Sequence, residues 1–197
     1  MSLEHKSTPL WASLIAHRSD ASLLNSALEG DLKATRQLLS SLSPKAHALA
    51  WRILGESSEA EDIVQAAFIK LFETRQFDGK SSLSTYLYTI VTRLCFDKLR
   101  ASSGHKLEYG YEIDERNEDA ELNPIEVFEK KQSDTNIQIA LKFLNPRQRA
   151  ALALWAYQDA SINEIAHAIG IEENAAHQLL HRAKINLRKK MEELGYD

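Results

Sequence analysis

The sequence predicts an all-α protein made of two small helical domains joined by an acidic linker. Three observations predict it. Gly (7) and Pro (4) are scarce while Leu and Ala abound, which favours helices over turn-rich β architecture. Apolar residues recur at spacings of three and four both before and after a central stretch. That stretch itself has no sustained apolar period, contains Gly104, Gly110 and Pro124, and concentrates acid. From Leu107 to Asn136 ten carboxylates face three cations, a charge of −7. The whole chain carries −4, so the remainder carries +3.

The resulting division is an N-terminal extension at 1–19, a first domain at 20–102, the acidic linker at 103–132 and a second domain at 133–197. The expectation is two helical bundles with an extended or poorly ordered linker and no single core running across it. A chain of 197 residues suits one or two domains. With 44% hydrophobic and 26% charged residues it matches a soluble globular protein, which excludes a disordered chain, a collagen-like fibre and a multi-span membrane protein. The apolar run Leu10 to Ala16 is too short for a signal peptide or a membrane span. A single cysteine, Cys95, excludes an intramolecular disulfide and a cysteine zinc site. A reduced, cytoplasmic, soluble protein with no membrane insertion is expected.

In the first domain, Leu23, Leu24, Ala27 and Leu28, then Leu32, Leu38, Leu39 and Leu42, indicate one or two short helices around Gly30. Ala46 to Leu54 reads as another helix, capped by Gly55. Ser58-Glu59-Ala60-Glu61 matches a capping box and predicts a helix start at Ser58. Ile63, Val64, Ala67, Phe68, Leu71 and Phe72 form its buried stripe, leaving Asp62, Gln65, Ile69, Lys70 and Glu73 around the other side. After a loop at Gln76 to Ser82, a helix from Leu83 to about Leu99 turns Leu83, Leu87, Ile90, Val91 and Leu94 inward. Cys95 falls on this helix as a buried thiol.

In the second domain, Ile137, Ala140, Leu141 and Leu144 share a face that ends at Asn145. Pro146 opens the next helix, carrying Ala150, Ala151, Leu154 and Trp155. Ser161-Ile162-Asn163-Glu164 is a second capping box, leading to Ile165, Ala166 and Ile169 and a stop at Gly170. A helix from about Glu173 to Glu193 follows. A small residue at 166, glycine four later and another helix describe a helix-turn-helix.

Two surfaces draw notice. Thr85, Thr89, Arg93, Phe96 and Arg100 form a stripe in which an aromatic ring lies among cations, a pattern suited to stacking on bases while phosphates are neutralised. An ordinary amphipathic surface helix, with Arg93 paired to Asp97, fits the same residues. Arg182 to Lys190 holds five cations and no acid, which fits either a phosphate-facing patch or a solvated helix end favoured by the macrodipole. His177 and His181 lie four apart, yet a transition-metal site needs a further placed ligand, and none is assigned. With no Gly-rich phosphate loop, nucleophile–base signature or HExxH motif, the chain reads as neither an enzyme nor a cofactor binder.

Two segments in order resemble the extracytoplasmic-function (ECF) group of bacterial sigma factors, the promoter-recognition subunits of RNA polymerase. Glu59 to Phe68, running on through Phe77-Asp78-Gly79 to Ser84 to Ile90 and Asp97-Lys98-Leu99-Arg100, is similar to the family's second conserved region. Leu144 to Arg149, then Ser161 to Ala166 and Leu180 to Ala183, is similar to its fourth. The resemblance covers most of the chain. It implies partners: the polymerase core, promoter DNA and an anti-sigma factor. It implies that Asp62 and Gln65 face the polymerase. It assigns Phe77, Tyr86, Thr89, Arg93, Phe96 and Arg100 to opening the minus-ten element. It assigns His177, Gln178, His181, Arg182 and Lys184 to the minus-thirty-five element, with Arg182 and Lys184 meeting phosphate.

The chain departs from the family pattern at four places. Tyr86 stands for tryptophan, Thr92-Arg93 for Arg-Asn, and Ala66 for glutamate. Ala175-Ala176-His177-Gln178-Leu179 replaces the typical Thr-Val-Lys-Ser-Arg, and Glu172 and Glu173 precede it. Carboxylates suit a helix N-terminus but repel phosphates. A second reading follows from that helix: a sigma-like interaction protein that binds polymerase or an anti-sigma factor without reading DNA.

Overall fold

The computed structural model describes residues 20–73, 77, 79, 81–103 and 134–195. Among them every regular element is a helix. Helix α1 (20–28) turns at Gly30, whose φ of +97° is the left-handed backbone that glycine tolerates. Asp31 then caps α2 (Leu32–Leu54), its side chain accepting from the backbone N–H groups of Lys33 at 2.8 Å and Ala34 at 3.3 Å.

Helix α2 corrects the expected break between the helical stretch ending at Leu42 and the helix at Ala46 to Leu54, while the division at Gly30 stands. Helix α2 is continuous for 23 residues, with Pro44 inside it. A proline there removes one backbone donor and strains the turn before it. The apolar stripe nevertheless keeps its register across the break: Leu38, Leu42, Ala46, Leu49 and Ile53 follow at spacings of four and three, all buried or half-buried. Full burial of each large side chain contributes about 1.5–3 kcal/mol, enough together to outweigh a proline costing about 3.

Helix α3 (Ser57–Glu73) starts one residue earlier than expected, so Ser58 lies inside the first turn and the predicted cap at Ser58 does not form. The cause is local. Gly55 ends α2 at φ +87°, its N–H bonding the Trp51 carbonyl at 2.7 Å, and the chain re-enters a helix after Glu56 alone. Helix α4 (Leu83–Ser103) runs a turn beyond Leu99 and packs on both α2 and α3. Its buried hydrophobic residues are Leu83, Leu87, Tyr88, Val91 and Cys95, while Ile90 and Leu94 are only half-buried. The Asp20 carboxylate accepts from the Leu83 N–H at 3.1 Å, tying the start of α1 to the start of α4.

The second half holds to its expected punctuation. Helix α5 (Asp134–Lys142) is followed by α6 (Pro146–Gln158), with Asn145 and Gln148 forming a reciprocal capping box and Pro146 in the first turn. Ser161 and Glu164 make the same box for α7 (Ile162–Ile169). Gly170 at φ +77° closes α7, its N–H and that of Ile171 both bonding the Ala166 carbonyl. Helix α8 (Glu173–Glu193) then crosses back over α6 and α7.

The halves do not stand apart. Helix α2 packs on α6, α4 packs on α7, and the buried residues of both halves form one continuous apolar cluster. The expectation of separate cores is corrected to that extent. Burial of Ala150 to Leu154, five successive residues of α6, explains it: a helix flanked on several sides needs more than its own small bundle to cover it. The expected linker, 103–132, lies outside the described residues apart from Ser103.

Candidate nucleic-acid and protein interface

Asp62 and Gln65 are both exposed on the face of α3 opposite its buried stripe. Ile69 completes that face one turn on and is 57% exposed. Sequence reasoning placed Ile69 on this side without giving it a role. An apolar side chain outside the buried stripe was the available signal, because water rather than protein surrounds it.

The stripe on α4 is brought together only in part. Phe77 and Tyr86 meet, their rings 5.5 Å apart and tilted by 56°, so the loop aromatic rests against the start of the helix. Thr89 is buried at 4% exposure and its hydroxyl donates to the Thr85 carbonyl at 3.0 Å. Arg93 does not pair with Asp97. Its Nη2 donates to the His167 carbonyl of α7 at 3.4 Å, and Asp97 binds Arg100 instead. Phe96 is half-buried and Arg100 exposed. Thr92 is fully buried with its hydroxyl unpartnered, so that position faces the core and not a base.

At its start α4 meets α7 directly. The Thr85 hydroxyl donates to Glu164 Oε1 at 2.8 Å, while Glu164 Oε2 accepts from Ser161 N–H at 2.8 Å. Ser82 in turn accepts from the Thr85 N–H at 3.0 Å. A chain of polar groups thus links the N-termini of both helices, where carboxylate charge is favoured. A cleft of about 170 Å³ opens beside it, lined among others by Ser84, Tyr88, Asp159 and Ala168. Burial pushes the Tyr88 phenol up to about 12 and the Cys95 thiol likewise to about 12, so both stay neutral at ordinary pH.

On α8, His177, Gln178 and His181 are exposed together, as a reading face requires. Arg182 and Lys184 are half-buried. Lys184 is drawn inward: its ammonium lies 3.6 Å from the centroid of the Trp155 ring, and burial lowers its pKa. The basic patch is also partly neutralised by its own helix. Arg188 pairs with Glu192 at 2.7 Å and Lys190 with Glu193 at 2.7 Å. Acids just beyond the patch, one turn away, were the signal that counting within Arg182 to Lys190 missed.

Among the described residues no three His, Cys, Asp or Glu side chains gather to hold a metal ion. No described helix is long and apolar enough to cross a membrane.

Residues 38–104 match the family model for Sigma-70 region 2, and residues 136–187 match that for Sigma-70, region 4. The chain is 30% identical to the ECF RNA polymerase sigma factor SigM of Mycobacterium tuberculosis over 91% of its own length and 86% of that protein's. It is 27% identical to the ECF sigma factor SigE of Mycolicibacterium smegmatis over 77% of its length, spanning 59% of that relative. For SigG of Mycobacterium tuberculosis, 31% identical over 72% of this chain, it spans 44%. The chain thus spans about half the length of some relatives it matches and nearly all of others. In fold it is similar to the sigma factor RpoE solved with the anti-sigma factor NepR from Bartonella quintana, with a TM-score of 0.62 at 22% identity, covering 82% of this chain and 98% of that one. It is also similar to CnrH solved with the cytosolic domain of CnrY, with a TM-score of 0.63 at 18% identity, covering 89% and 98%. With both conserved regions present in order, and a relative of this identity matched along nearly its whole length, the chain belongs to the ECF group of RNA polymerase sigma factors.

Proposed function

We propose that this protein binds the RNA polymerase core and directs it to promoters, which it recognises and melts without performing chemistry of its own. The observation that carries this reading is the pairing of an exposed α3 face, Asp62 and Gln65, with a helix-turn-helix whose second helix exposes His177, Gln178 and His181. The first face suits a protein partner and the second suits the major groove. Residues 20–102 act as the core-binding and minus-ten domain, with Phe77, Tyr86, Thr89, Arg93, Phe96 and Arg100 at the opened strand. Residues 133–197 act at the minus-thirty-five element, with Arg182 and Lys184 toward phosphate. The protein works in the cytoplasm, and an anti-sigma factor is its natural antagonist. Run-off transcription with purified core polymerase, on templates selected from a genomic promoter pool, tests the reading. Specific transcripts dependent on this chain support it; core binding without any specific transcript refutes it.

One observation favours a second reading, a polymerase- or anti-sigma-binding protein that does not read DNA. Glu172 and Glu173 are both exposed at the start of α8, and Lys184 is engaged by Trp155. Under that reading core polymerase binds but the minus-thirty-five sequence has no effect on transcript yield.

A further inference from the structure

The reading face of α8 is short of fixed positive charge. Over its first three turns the exposed residues are Glu173, Asn174, His177, Gln178 and His181, with Glu172 exposed just before them. That set carries −2 while both histidines are neutral and 0 once both are protonated. Most of the helix's other cations are engaged elsewhere. The Lys184 ammonium lies 3.6 Å from the centroid of the Trp155 ring, and the Lys190 ammonium 3.7 Å from that of Phe143. Arg188 pairs with Glu192, and Lys190 pairs with Glu193 as well. Arg182 remains, half-buried, and the exposed Lys189 lies about two turns beyond His181.

His177 and His181 lie one turn apart and therefore share the face that would enter the groove. Among the described residues neither ring takes part in a hydrogen bond or an ion pair. Glu173 precedes His177 by one turn and favours its charged form. Arg182 follows His181 directly, and side chains one residue apart do not face each other. Of the helices packed on α8, α7 brings Glu164, held by Ser161 and Thr85, and His167, exposed in its last turn. Helix α6 brings Arg147, Arg149 and Tyr157, and α5 brings Lys142. None of these bonds to either histidine ring. Histidine is the side chain that ordinarily changes charge between pH 5 and 8. A groove lined by phosphates favours its protonated form, which also carries a donor on both ring nitrogens.

We infer that promoter binding through α8 is coupled to proton uptake at His177 and His181: the face meets DNA with both rings charged and loses its hold as they become neutral. The inference rests on the function proposed above and names the charge state in which that site works. Proton uptake on binding fixes the sign, so affinity is highest below the histidine range and falls as pH rises through it. Neutral rings leave Glu172 and Glu173 uncompensated against phosphate, whereas charged rings cancel them.

The test uses holoenzyme assembled from the full-length chain and core polymerase. Its affinity for a promoter fragment on which it initiates is measured by filter binding across a salt series, at about pH 8 and at about pH 6. Two added phosphate contacts should steepen the salt slope by about 1.8 at the lower pH, so that affinity falls about twelvefold more between 50 and 200 mM salt there than at the higher pH. His177→Gln combined with His181→Gln should hold one slope at both pH values, because glutamine hydrogen-bonds without charge. His177→Lys combined with His181→Lys should give the steep slope at both. His167→Gln, which alters the other exposed histidine of this half, should keep the wild-type response to pH. A slope that is equal at both pH values in the wild type overturns the proposal. So does a pH-dependent slope that survives in the double glutamine variant or vanishes in His167→Gln, since the proton then sits elsewhere. The same fragment with a scrambled minus-thirty-five element separates the two failures. If scrambling changes binding by none of these proteins at either pH, the promoter reading itself is overturned, and the proton coupling with it.

Discussion

Gly170→Ala should destabilise the helix-turn-helix by about 1–2 kcal/mol, and the structure states why. Gly170 sits at φ +77°, ψ +45°, where an L side chain crowds the following carbonyl at a cost of about 1–2 kcal/mol. A Cβ built there meets nothing within 4 Å, so no clash adds to that figure and no packing offsets it. Two backbone bonds to the Ala166 carbonyl, from Gly170 at 2.9 Å and Ile171 at 3.0 Å, hold the left-handed geometry in place. The assay is thermal unfolding by circular dichroism. If the second half melts by itself, the loss should lower its Tm by about 4–8 °C per kcal/mol; if both halves melt as one unit, by about 2–4 °C. Gly170→Asn should cost less, because asparagine tolerates this backbone. An unchanged or raised Tm for Gly170→Ala would refute the argument, since alanine at an ordinary φ stabilises by restricting the unfolded chain.

Four further outcomes are expected. Asp62→Lys should weaken pull-down of core polymerase by several kcal/mol at matched helicity, since it sets like charges together at a complementary surface; unchanged capture removes this face from the interface. Arg93→Ala should reduce permanganate reactivity of minus-ten thymines more than it reduces polymerase binding. Loss of one phosphate contact should also lower the salt slope by about one, or roughly 3.5-fold between 50 and 200 mM salt; equal thymine reactivity would assign opening to Phe77 and Tyr86. Thr92→Val should raise stability by up to about 1 kcal/mol in urea titration, because it replaces a fully buried, unpartnered hydroxyl with a methyl of the same shape, and a loss would mean the hydroxyl is bonded after all. Cys95, raised from 9.0 to about 12 by burial, should contribute stability that is intact below about pH 9 and lost as pH climbs toward 12, because the unfolded thiol ionises first. Urea midpoints at pH 8 and 10.5 check this, with Cys95→Ala as the comparison; an equal decline in both excludes the thiol.

What could be read from the chain alone was whatever local chemistry decides. Helix caps are settled within four residues, so Asn145-Pro146, Ser161 with Glu164 and Gly170 announced the second half almost residue by residue. Burial stripes likewise separated Asp62 and Gln65 from Ile63, Val64 and Phe68 on α3. Local signals also misled where a longer-range force opposed them. Pro44 does not divide α2, because the stripe from Leu38 to Ile53 is buried by α3 and α4, elements that local spacing cannot see. Partner choice among long side chains was equally out of reach. Lys184 could face phosphate or a ring, and Arg93 could meet Asp97 or a distant carbonyl; the selection falls to whichever group the tertiary fold brings within 4 Å. The docking of α7 on α4 is of the same kind. Residues 85 and 164 are far apart in sequence, and no period or motif in either helix encodes their meeting, since a carboxylate at a helix N-terminus is already satisfied by its own cap. Only the packing of the two halves gives Glu164 its second task.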